Sequence, residues 1–420
     1  MENYPEPNNN FTQGNEIMLD EVVTPIGIED PSSVMSAFQK AGNDMLVRIR
    51  DIVTNPYKKK TPRTWGIVDA AKMIGISTPT LRKIESENSV LGDINRNENN
   101  RRAYSLDRIN QFRDFLQTRY TRGKNSEPVC IAITNFKGGC AKTTTVAHLA
   151  QKCALEGLRV LMIDLDPQGS ASFVCGGLIP DLELEYEDTI CNALMEDPAE
   201  IHRVIRKTHF DGLDIIPANL ALQDAELGLP NSELNNVRTL GSAAFRLKNS
   251  INLIKNDYDV IIFDCGPNLG VLTINALTAA NSILIPIPPN MFDYASFVML
   301  TGTLKTLFES LKIKRFDFFR ILLSKHSGSN EAVNVENMLR KQFGGYVLSN
   351  HMCETIEIAR ATNDLSTVYE ISKPRGSRDA FRRAIDHLDS VNNEIIGHFK
   401  TIWETEEKNA LQQLAEGSVA

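Results

Sequence analysis

The sixteen residues Val129-Cys-Ile-Ala-Ile-Thr-Asn-Phe-Lys-Gly-Gly-Cys-Ala-Lys-Thr-Thr144 decide the fold. They begin as a short apolar run, pass through a glycine pair, and end on threonines that open a helical pattern. An apolar run of this length predicts a strand covered on both faces. Glycines between such a strand and a helix allow the backbone to approach a ligand closely. The stretch therefore predicts a strand, a tight loop and a helix.

Three further apolar runs follow the same rule. They are Arg159 to Asp164, Asp259 to Asp264, and Ser282 to Ile287. Short, nearly continuous apolar runs separated by helical patterns are typical of a parallel sheet between two layers of helices. We therefore predict an α/β fold with a mostly parallel, helix-flanked sheet.

The glycine loop has the chemistry of a polyphosphate site. Backbone N–H groups at Gly138 and Gly139 can point at phosphate oxygens, and the following helix N-terminus adds favourable partial charge. Lys142 is placed to reach the β- and γ-phosphates, and the Thr143 hydroxyl can coordinate Mg²⁺ while Thr144 contacts phosphate. The loop thus predicts a site for ATP and Mg²⁺.

The loop resembles the deviant Walker A motif, K-G-G-x-G-K-[ST], of the ParA/MinD family of P-loop NTPases. Lys137-Gly-Gly-Cys-Ala-Lys-Thr143 agrees with it at all positions but one. The resemblance implies that Lys137 reaches across a nucleotide sandwich dimer into the partner's phosphates. Ala141 stands where the family has glycine, and we expect its Cβ to crowd the loop and affect affinity or turnover without abolishing binding.

Two aspartate-bearing strand ends extend the resemblance. Asp164-Leu-Asp-Pro-Gln-Gly-Ser170 is similar to the family's D-x-D-P-Q-G segment. This implies that Asp166 positions the attacking water and that Asp164 supports the Mg²⁺ shell. Asp264 looks like a Walker B aspartate that holds Mg²⁺ through a water. The next residues, Cys265 to Asn268, depart mildly from the family's D-x-P-P.

The resemblance implies ATP hydrolysis by in-line attack of water, with Lys137, Lys142 and Asp166 as catalytic residues. Pro286 to Asn290 resembles the family segment near the adenine. The residues expected to contact ATP are Lys137, Gly138, Gly139, Cys140, Ala141, Lys142, Thr143, Thr144, Pro286 and Asn290, and those expected to hold the metal are Thr143, Asp164 and Asp264.

Charge is unevenly distributed along the 420 residues, whose net charge is −8. Residues 57–124 contain 15 Lys and Arg against 7 Asp and Glu, a local charge of +8. A basic block inside an acidic chain indicates a nucleic-acid partner better than the overall charge does. The spacing of the seven cysteines indicates neither a zinc site nor an iron–sulfur cluster.

The basic block has the pattern of a helix-turn-helix. A helix from Gly66 ends at Gly75, Ser77 and Thr78 begin a second helix, and Ser105 caps a third. The region resembles the MerR-like winged-helix group. The resemblance implies that Thr78, Thr80, Arg82 and Lys83 face DNA bases and that Arg96, Arg101 and Arg102 form a wing on the phosphates.

A second basic cluster lies near the C-terminus. Arg360, Arg375 and Arg378 belong to it, together with Lys373, Arg382 and Arg383. In ParA proteins a basic patch in this region binds DNA non-specifically, which implies the same here.

The predicted organisation has five parts. They are a mobile arm (1–31), an amphipathic helix that is a candidate dimer contact (32–55), a winged helix-turn-helix domain (57–122), a ParA-type ATPase domain (128–400) and a C-terminal tail (401–420). The combination resembles the large plasmid ParA proteins, including the RepA partners of repABC replicons. It implies a cytoplasmic, nucleoid-associated homodimer that binds DNA and is stimulated by a ParB-type centromere-binding protein, and that represses its own operon.

Other functions fit parts of the sequence. A transcriptional regulator that senses nucleotide with little turnover would carry the same motifs. A membrane-cycling ATPase needs a basic amphipathic C-terminal helix, whereas Trp403 to Ala420 is rich in acidic residues. We therefore expect no membrane partner. An electron donor of the nitrogenase-reductase type needs cluster-binding cysteines, which the spacing does not provide.

Overall fold

The computed structural model describes residues 31–54, 60, 62–87, 95–97, 99–230, 241–372, 374 and 376–417. Arg375 and Lys373, both assigned to the C-terminal basic cluster, lie outside these residues, as does nearly all of the predicted arm. The structure likewise does not describe the side chains of residues 31, 46, 48–54 and 415–417.

Seven strands form one sheet in the order β3-β4-β2-β5-β1-β6-β7. The strands are β1 (Val129–Ile133), β2 (Val160–Leu165), β3 (Arg206–Lys207), β4 (Leu213–Ile216), β5 (Val260–Cys265), β6 (Ser282–Ile287) and β7 (Phe318–Leu323). All neighbours are parallel except β3 and β4. The mostly parallel sheet is the predicted fold class.

The N-terminal helices are α1 (Pro31–Thr54), α2 (Ile67–Ile74), α3 (Thr78–Glu87) and α4 (Leu106–Phe115). Within and around the sheet lie α5 (Lys142–Leu155), α6 (Pro180–Glu183), α7 (Cys191–Met195), α8 (Ile201–Val204) and α9 (222–230). The remainder are α10 (Arg246–Ile254), α11 (Val271–Ala279), α12 (Met291–Ser310), α13 (Asn330–Phe343), α14 (Ile356–Asn363) and α15 (Arg378–Gly417). The predicted C-terminal tail begins inside α15, which continues past residue 401.

The sheet has an apolar core on each face. Side chains of β1 alternate between them: Ile131 and Ile133 belong to the core under α5 and α15, and Cys130 and Ala132 to the core under α10 to α13. This alternation is the two-residue period of a strand. Because both faces are covered, the strand ends at the carboxyl edge are where a ligand can reach the sheet.

The N-terminal helices carry the predicted caps. Gly75 ends α2 with φ 87, Ser77 Oγ accepts from the Thr80 amide, and Ser105 accepts from the Arg108 amide. Paired bridges between Trp65 and Tyr104, and between Arg96 and Arg102, join the segments around α3.

This N-terminal unit is fixed to the sheet domain. Arg113 donates to the carbonyls of Met73 and Leu155, and Arg119 donates to that of Gly157. The apolar side chains of α2 to α4 join the same core as those of α5 and α15.

Helix α1 agrees with the amphipathic helix predicted over 32–55. Two of its described apolar side chains are largely uncovered in the single chain, since Met35 and Phe38 are 58% and 52% exposed. Its role as a dimer contact stays a prediction.

Candidate functional site

The loop between β1 and α5 has the conformation of a phosphate cradle. Gly138 and Gly139 are exposed, and a Cβ added at either would meet nothing within 4 Å. Gly139 has φ 78, a left-handed conformation that favours glycine. The open backbone in front of the α5 N-terminus fits a polyphosphate.

Ala141 adopts the same left-handed conformation, with φ 68 and ψ 31, as the N-cap residue of α5. An L-residue there is disfavoured by about 1–2 kcal/mol because Cβ approaches its own carbonyl oxygen. The sequence prediction attributed the effect of this alanine to crowding of the loop. In the structure the alanine strains its own backbone.

The two loop lysines have different environments. Lys142 is buried and its Nζ donates to the Lys137 carbonyl at 3.2 Å. Among the described residues, no carboxylate lies within ion-pair distance of that ammonium. Lys137 is 41% exposed, and its Nζ lies 2.7 Å from Asp293 Oδ1. Lys142 therefore stays over the loop, whereas Lys137 is held to one side by an acidic partner.

Asp293 belongs to the first turn of α12. The Asn290 side chain caps this helix by accepting from the Asp293 amide at 3.0 Å, and its amide group donates to the Asp293 carboxylate. Pro286 lies in β6, where its carbonyl accepts from Asn135. Asn290 and Pro286, predicted near the adenine, thus have structural contacts close to the loop.

The carboxyl ends of β2 and β5 bring two aspartates together. Asp164 and Asp264 are register partners on adjacent strands, and both are fully buried. Burial raises the pKa of Asp264, and the neighbouring charge of Asp164 raises it further. Two buried carboxylates on adjacent strands repel each other, so the pair favours a bound cation.

Asp264 has the contacts expected of a metal-site residue. Its Oδ2 accepts from the Thr143 hydroxyl at 2.7 Å, while its buried Oδ1 has no hydrogen-bond partner in the part of the chain that the structure describes. A buried orphaned carboxylate oxygen next to a threonine hydroxyl in the first turn of α5 is a donor set that suits Mg²⁺ and its waters.

Asp164 has a different use. Its Oδ2 accepts from the amide and hydroxyl of Ser172, and its Oδ1 accepts from the Asp166 amide. Asp164 therefore holds the segment after β2 in place, and its support of the Mg²⁺ shell stays a prediction.

Asp166 directly follows β2, at the same carboxyl edge of the sheet as the glycine loop. It is partly exposed, and its Oδ1 accepts from the Gln168 amide at 3.0 Å. The next turn requires Gly169, because at φ 62 an added Cβ would fall 2.8 Å from the Ala218 carbonyl. This places Asp166 on a fixed turn where its second oxygen can face a water.

The residues predicted to bind DNA in the N-terminal unit lie on its surface. Thr80, Arg82 and Lys83 on α3 are exposed, and Thr78 is partly exposed. Arg96 and Arg101 are exposed as well. Arg102 Nε instead pairs with Glu85 Oε2 at 3.2 Å, so Arg102 ties the wing to α3.

Two of the predicted C-terminal DNA residues lie on different helices, α14 and α15. Arg360 on α14 is 53% exposed and pairs with Glu357 at 2.9 Å, and Arg378 begins α15 at an exposed position. Arg375, outside the described residues, cannot be related to them. DNA binding by this set stays a prediction. No helix in the described residues is long and apolar enough to span a bilayer.

Sequence reasoning missed two contacts of the loop. Asp293 was not singled out, although Asn290-x-x-Asp293 is a helix-start pattern. Ser324, after β7, donates from its hydroxyl to the Cys140 carbonyl at 2.8 Å. It carries no sequence signal, because it depends on β7 lying beside β6.

Comparison with known proteins shows which chains this one resembles. The family described as "AAA domain" matches residues 129–315. The chain is 35% identical to "Putative replication protein A" of Sinorhizobium fredii, covering 83% of this chain and 89% of the relative. It is 34% identical to "Protein SopA" of Escherichia coli, covering 87% and 96% respectively.

Among solved structures, one titled "Partition Protein" has a TM-score of 0.57 at 20% identity, covering 86% of this chain and 99% of that one. At this identity the likeness concerns the fold. The two relatives and the matching family model show that the chain belongs to the ParA/MinD-type family of plasmid partition ATPases.

Proposed function

We propose that this protein hydrolyses ATP to partition DNA such as a plasmid. The single observation that supports this best is the pairing of an open glycine loop with the orphaned carboxylate oxygen of Asp264. Bound Mg²⁺ supplies charge neutralisation for the phosphates when ATP is present. Lys142 lies over the loop where β- and γ-phosphates would sit, and Asp166 orients the attacking water.

ATP binding is proposed to drive formation of a sandwich dimer. In that dimer Lys137 leaves Asp293 and contacts the partner's phosphates. Hydrolysis, stimulated by a ParB-type partner, returns the chain to the monomer. The protein is expected to be nucleoid-associated, because the dimer binds DNA non-specifically through Arg360, Arg375 and Arg378. Such binding depends on phosphate contacts and weakens steeply with salt.

The exposed face of α3 is proposed to bind a specific operator. Thr80, Arg82 and Lys83 are available there, and the basic wing lies beside them. Binding at its own promoter would make the protein an autorepressor.

An ATPase assay tests the enzymatic part. We expect phosphate release with Mg-ATP that rises with DNA and the partner, and that falls to background in Lys142→Ala. The lysine variant must retain its thermal unfolding midpoint as a folding control. Full activity in that folded variant would overturn the assignment.

The same assay separates partition from nucleotide sensing. A low basal rate fits both functions and does not separate them. A partition ATPase is stimulated by DNA together with its partner, whereas a nucleotide sensor shows operator binding that depends on ATP with no stimulated turnover.

A further inference from the structure

Three polar side chains meet beside the last strand of the sheet. His326 follows β7, Glu336 lies on α13, and His351 lies in the extended segment after Gly344–Tyr346. One nitrogen or oxygen atom from each lies within 4.8 Å of the others. We call this group the histidine cluster. None of its members belongs to the nucleotide site described above.

The spacing in the cluster suits a tetrahedral ion. His326 Nε2 lies 2.9 Å from Glu336 Oε2, and His351 Nδ1 lies 3.7 Å from Glu336 Oε1. Two ligands bound to zinc at about 2.0–2.1 Å in tetrahedral geometry are about 3.3 Å apart. The observed separations, measured to the two different oxygens of Glu336, lie on either side of that value, so small side-chain movements would bring one atom of each residue onto one ion.

His326 has an unsatisfied nitrogen aimed into the cluster. The residue is only 4% exposed, and its Nε2 has no hydrogen-bond partner among the described residues. Glu336 Oε2 is near but lies off the direction in which a ring N–H points. Proteins seldom leave a buried ring nitrogen in this state without a role.

Glu336 is oriented by a second residue. Arg340 donates from Nε to Glu336 Oε1 at 2.8 Å, and its other nitrogens donate to the carbonyls of Leu348 and Ser349. This contact leaves Oε2 facing His326. Outer contacts of this kind fix the orientation of metal ligands.

Two adjustments accompany binding of an ion. The His326 and His351 rings are stacked with centroids 4.2 Å apart. A metal ion lies in the plane of each imidazole ring that binds it, so one of the two rings must turn before both can bind the same ion. His351 is 32% exposed and can turn. His326 Nδ1 accepts from the Gly328 amide at 3.1 Å, and this bond must open so that Nδ1 can carry the proton. Gly328 is exposed with open space around it, which makes that movement easy.

We propose that His326, Glu336 and His351 bind one divalent transition-metal ion of the zinc class, with the fourth position open to water. Two imidazoles and one carboxylate form a known zinc ligand set. The ion would join the segment after β7, α13 and the segment leading to α14. Ser324, two residues before His326, donates to the Cys140 carbonyl in the nucleotide loop. An ion bound to His326 would therefore also stiffen the side of the loop that Ser324 contacts.

Zinc titration of the full chain tests this proposal. Isothermal calorimetry with Zn²⁺ is done without nucleotide and in excess Mg²⁺, which occupies oxygen-only sites. We expect one Zn²⁺ per chain, and at least about 100-fold weaker binding in both His351→Ala and Glu336→Gln, since each removes a direct ligand. Both variants are checked for folding by circular dichroism in the absence of zinc.

Two control variants make the result specific. His202→Ala removes an exposed histidine on α8, away from the cluster. Cys353→Ser removes a partly exposed thiol that lies 3.7 Å from His387 Nδ1. Both should bind zinc like the wild type. The proposal fails if the wild type takes up no stoichiometric zinc, if both ligand variants bind as tightly, or if binding depends on Cys353 alone.

Discussion

The contact between Lys137 and Asp293 predicts how easily the ATP-bound chain dimerises. Lys137 cannot hold Asp293 in its own chain and a phosphate of the partner at the same time. Replacing Asp293 with Asn removes the negative charge and retains the side-chain oxygen that Asn290 contacts. We therefore expect Asp293→Asn to release Lys137 and to tighten the ATP-dependent dimer.

The size of the expected change in dimer affinity follows from the exposure of the Lys137–Asp293 ion pair. Lys137 is 41% exposed and Asp293 only 5% exposed, at a separation of 2.7 Å. Exposed ion pairs contribute about 0.2–1 kcal/mol, and this half-buried one is expected to contribute about 1 kcal/mol. A symmetric dimer breaks two such pairs, so about 2 kcal/mol is recovered. This corresponds to a dimer Kd about 30-fold lower.

Sedimentation velocity with Mg²⁺ and a slowly hydrolysed ATP analogue measures that Kd. Asp317→Asn is the matched control, because Asp317 also pairs with an exposed basic residue, Arg315, at 2.8 Å but lies at the start of β7. Adding Lys137→Ala to the Asp293 variant should remove the gain. An unchanged or weaker dimer in Asp293→Asn would refute the reasoning, since Asp293 would then position Lys137 for the partner.

Three further changes have defined outcomes. Ala141→Gly relieves the left-handed alanine and should raise the free energy of unfolding by about 1 kcal/mol, reduced by the entropy that glycine adds to the unfolded chain. Urea denaturation measures this difference, and a free energy of unfolding equal to or below that of the wild type would place the strain elsewhere. Burial alone would raise the pKa of Glu370, but hydrogen bonds and charges from His209 and Lys60 lower this pKa to about 2. We therefore expect Glu370→Gln to lower the free energy of unfolding by about 3 kcal/mol at pH 7. Because the folded pKa is the lower one, that difference should persist above about pH 4.5 and shrink as the pH falls towards 2, and a difference that grows in acid would contradict the assignment. Arg82→Ala on α3 should weaken operator binding in a gel-shift assay and leave ATP-dependent binding to random DNA unchanged, and equal loss on both DNAs would argue against sequence recognition by α3.

Local sequence was enough to predict the centre of the sheet. The runs that became β1, β2, β5 and β6 are nearly continuous apolar segments, and each was predicted to within one or two residues. The edge strands gave weaker signals. β4 is four residues long and contains Asp214, which accepts from Lys207 and Tyr258. β7 has Arg320 in its middle. An edge or near-edge strand tolerates such residues because one side is less covered.

The glycine loop was predictable because its ligand groups are consecutive in the sequence. The contacts that distant residues make with the loop were not predictable in this way. Asp293 and Ser324 reach the loop only because β6 flanks β1 and β7 lies beside β6. The histidine cluster is hidden for the same reason, since no pair of its members has a ligand spacing within one helix or turn.

One buried group connects the nucleotide loop to the N-terminal helices. Helix α5 carries Lys142 at its start and Gln151 further along, and Gln151 donates to Glu370 at 2.8 Å. Glu370 also pairs with Lys60 at 3.0 Å, in the segment before α2, and both side chains are largely buried. Removing one partner of a buried pair costs about 3–5 kcal/mol.

A displacement of α5 on nucleotide binding would therefore act on Glu370 and Lys60, because breaking that buried pair is costly. Lys60 Nζ also donates to the Val174 carbonyl at 2.8 Å, in the segment that follows Asp166. Two parts of the nucleotide site thus connect to the same lysine, which precedes α2. Helix α5 connects to it through Glu370, and the segment after Asp166 contacts it through Val174. If operator binding responds to ATP, Lys60→Met should uncouple the two while each persists alone, and coupling that survives in Lys60→Met would exclude this route.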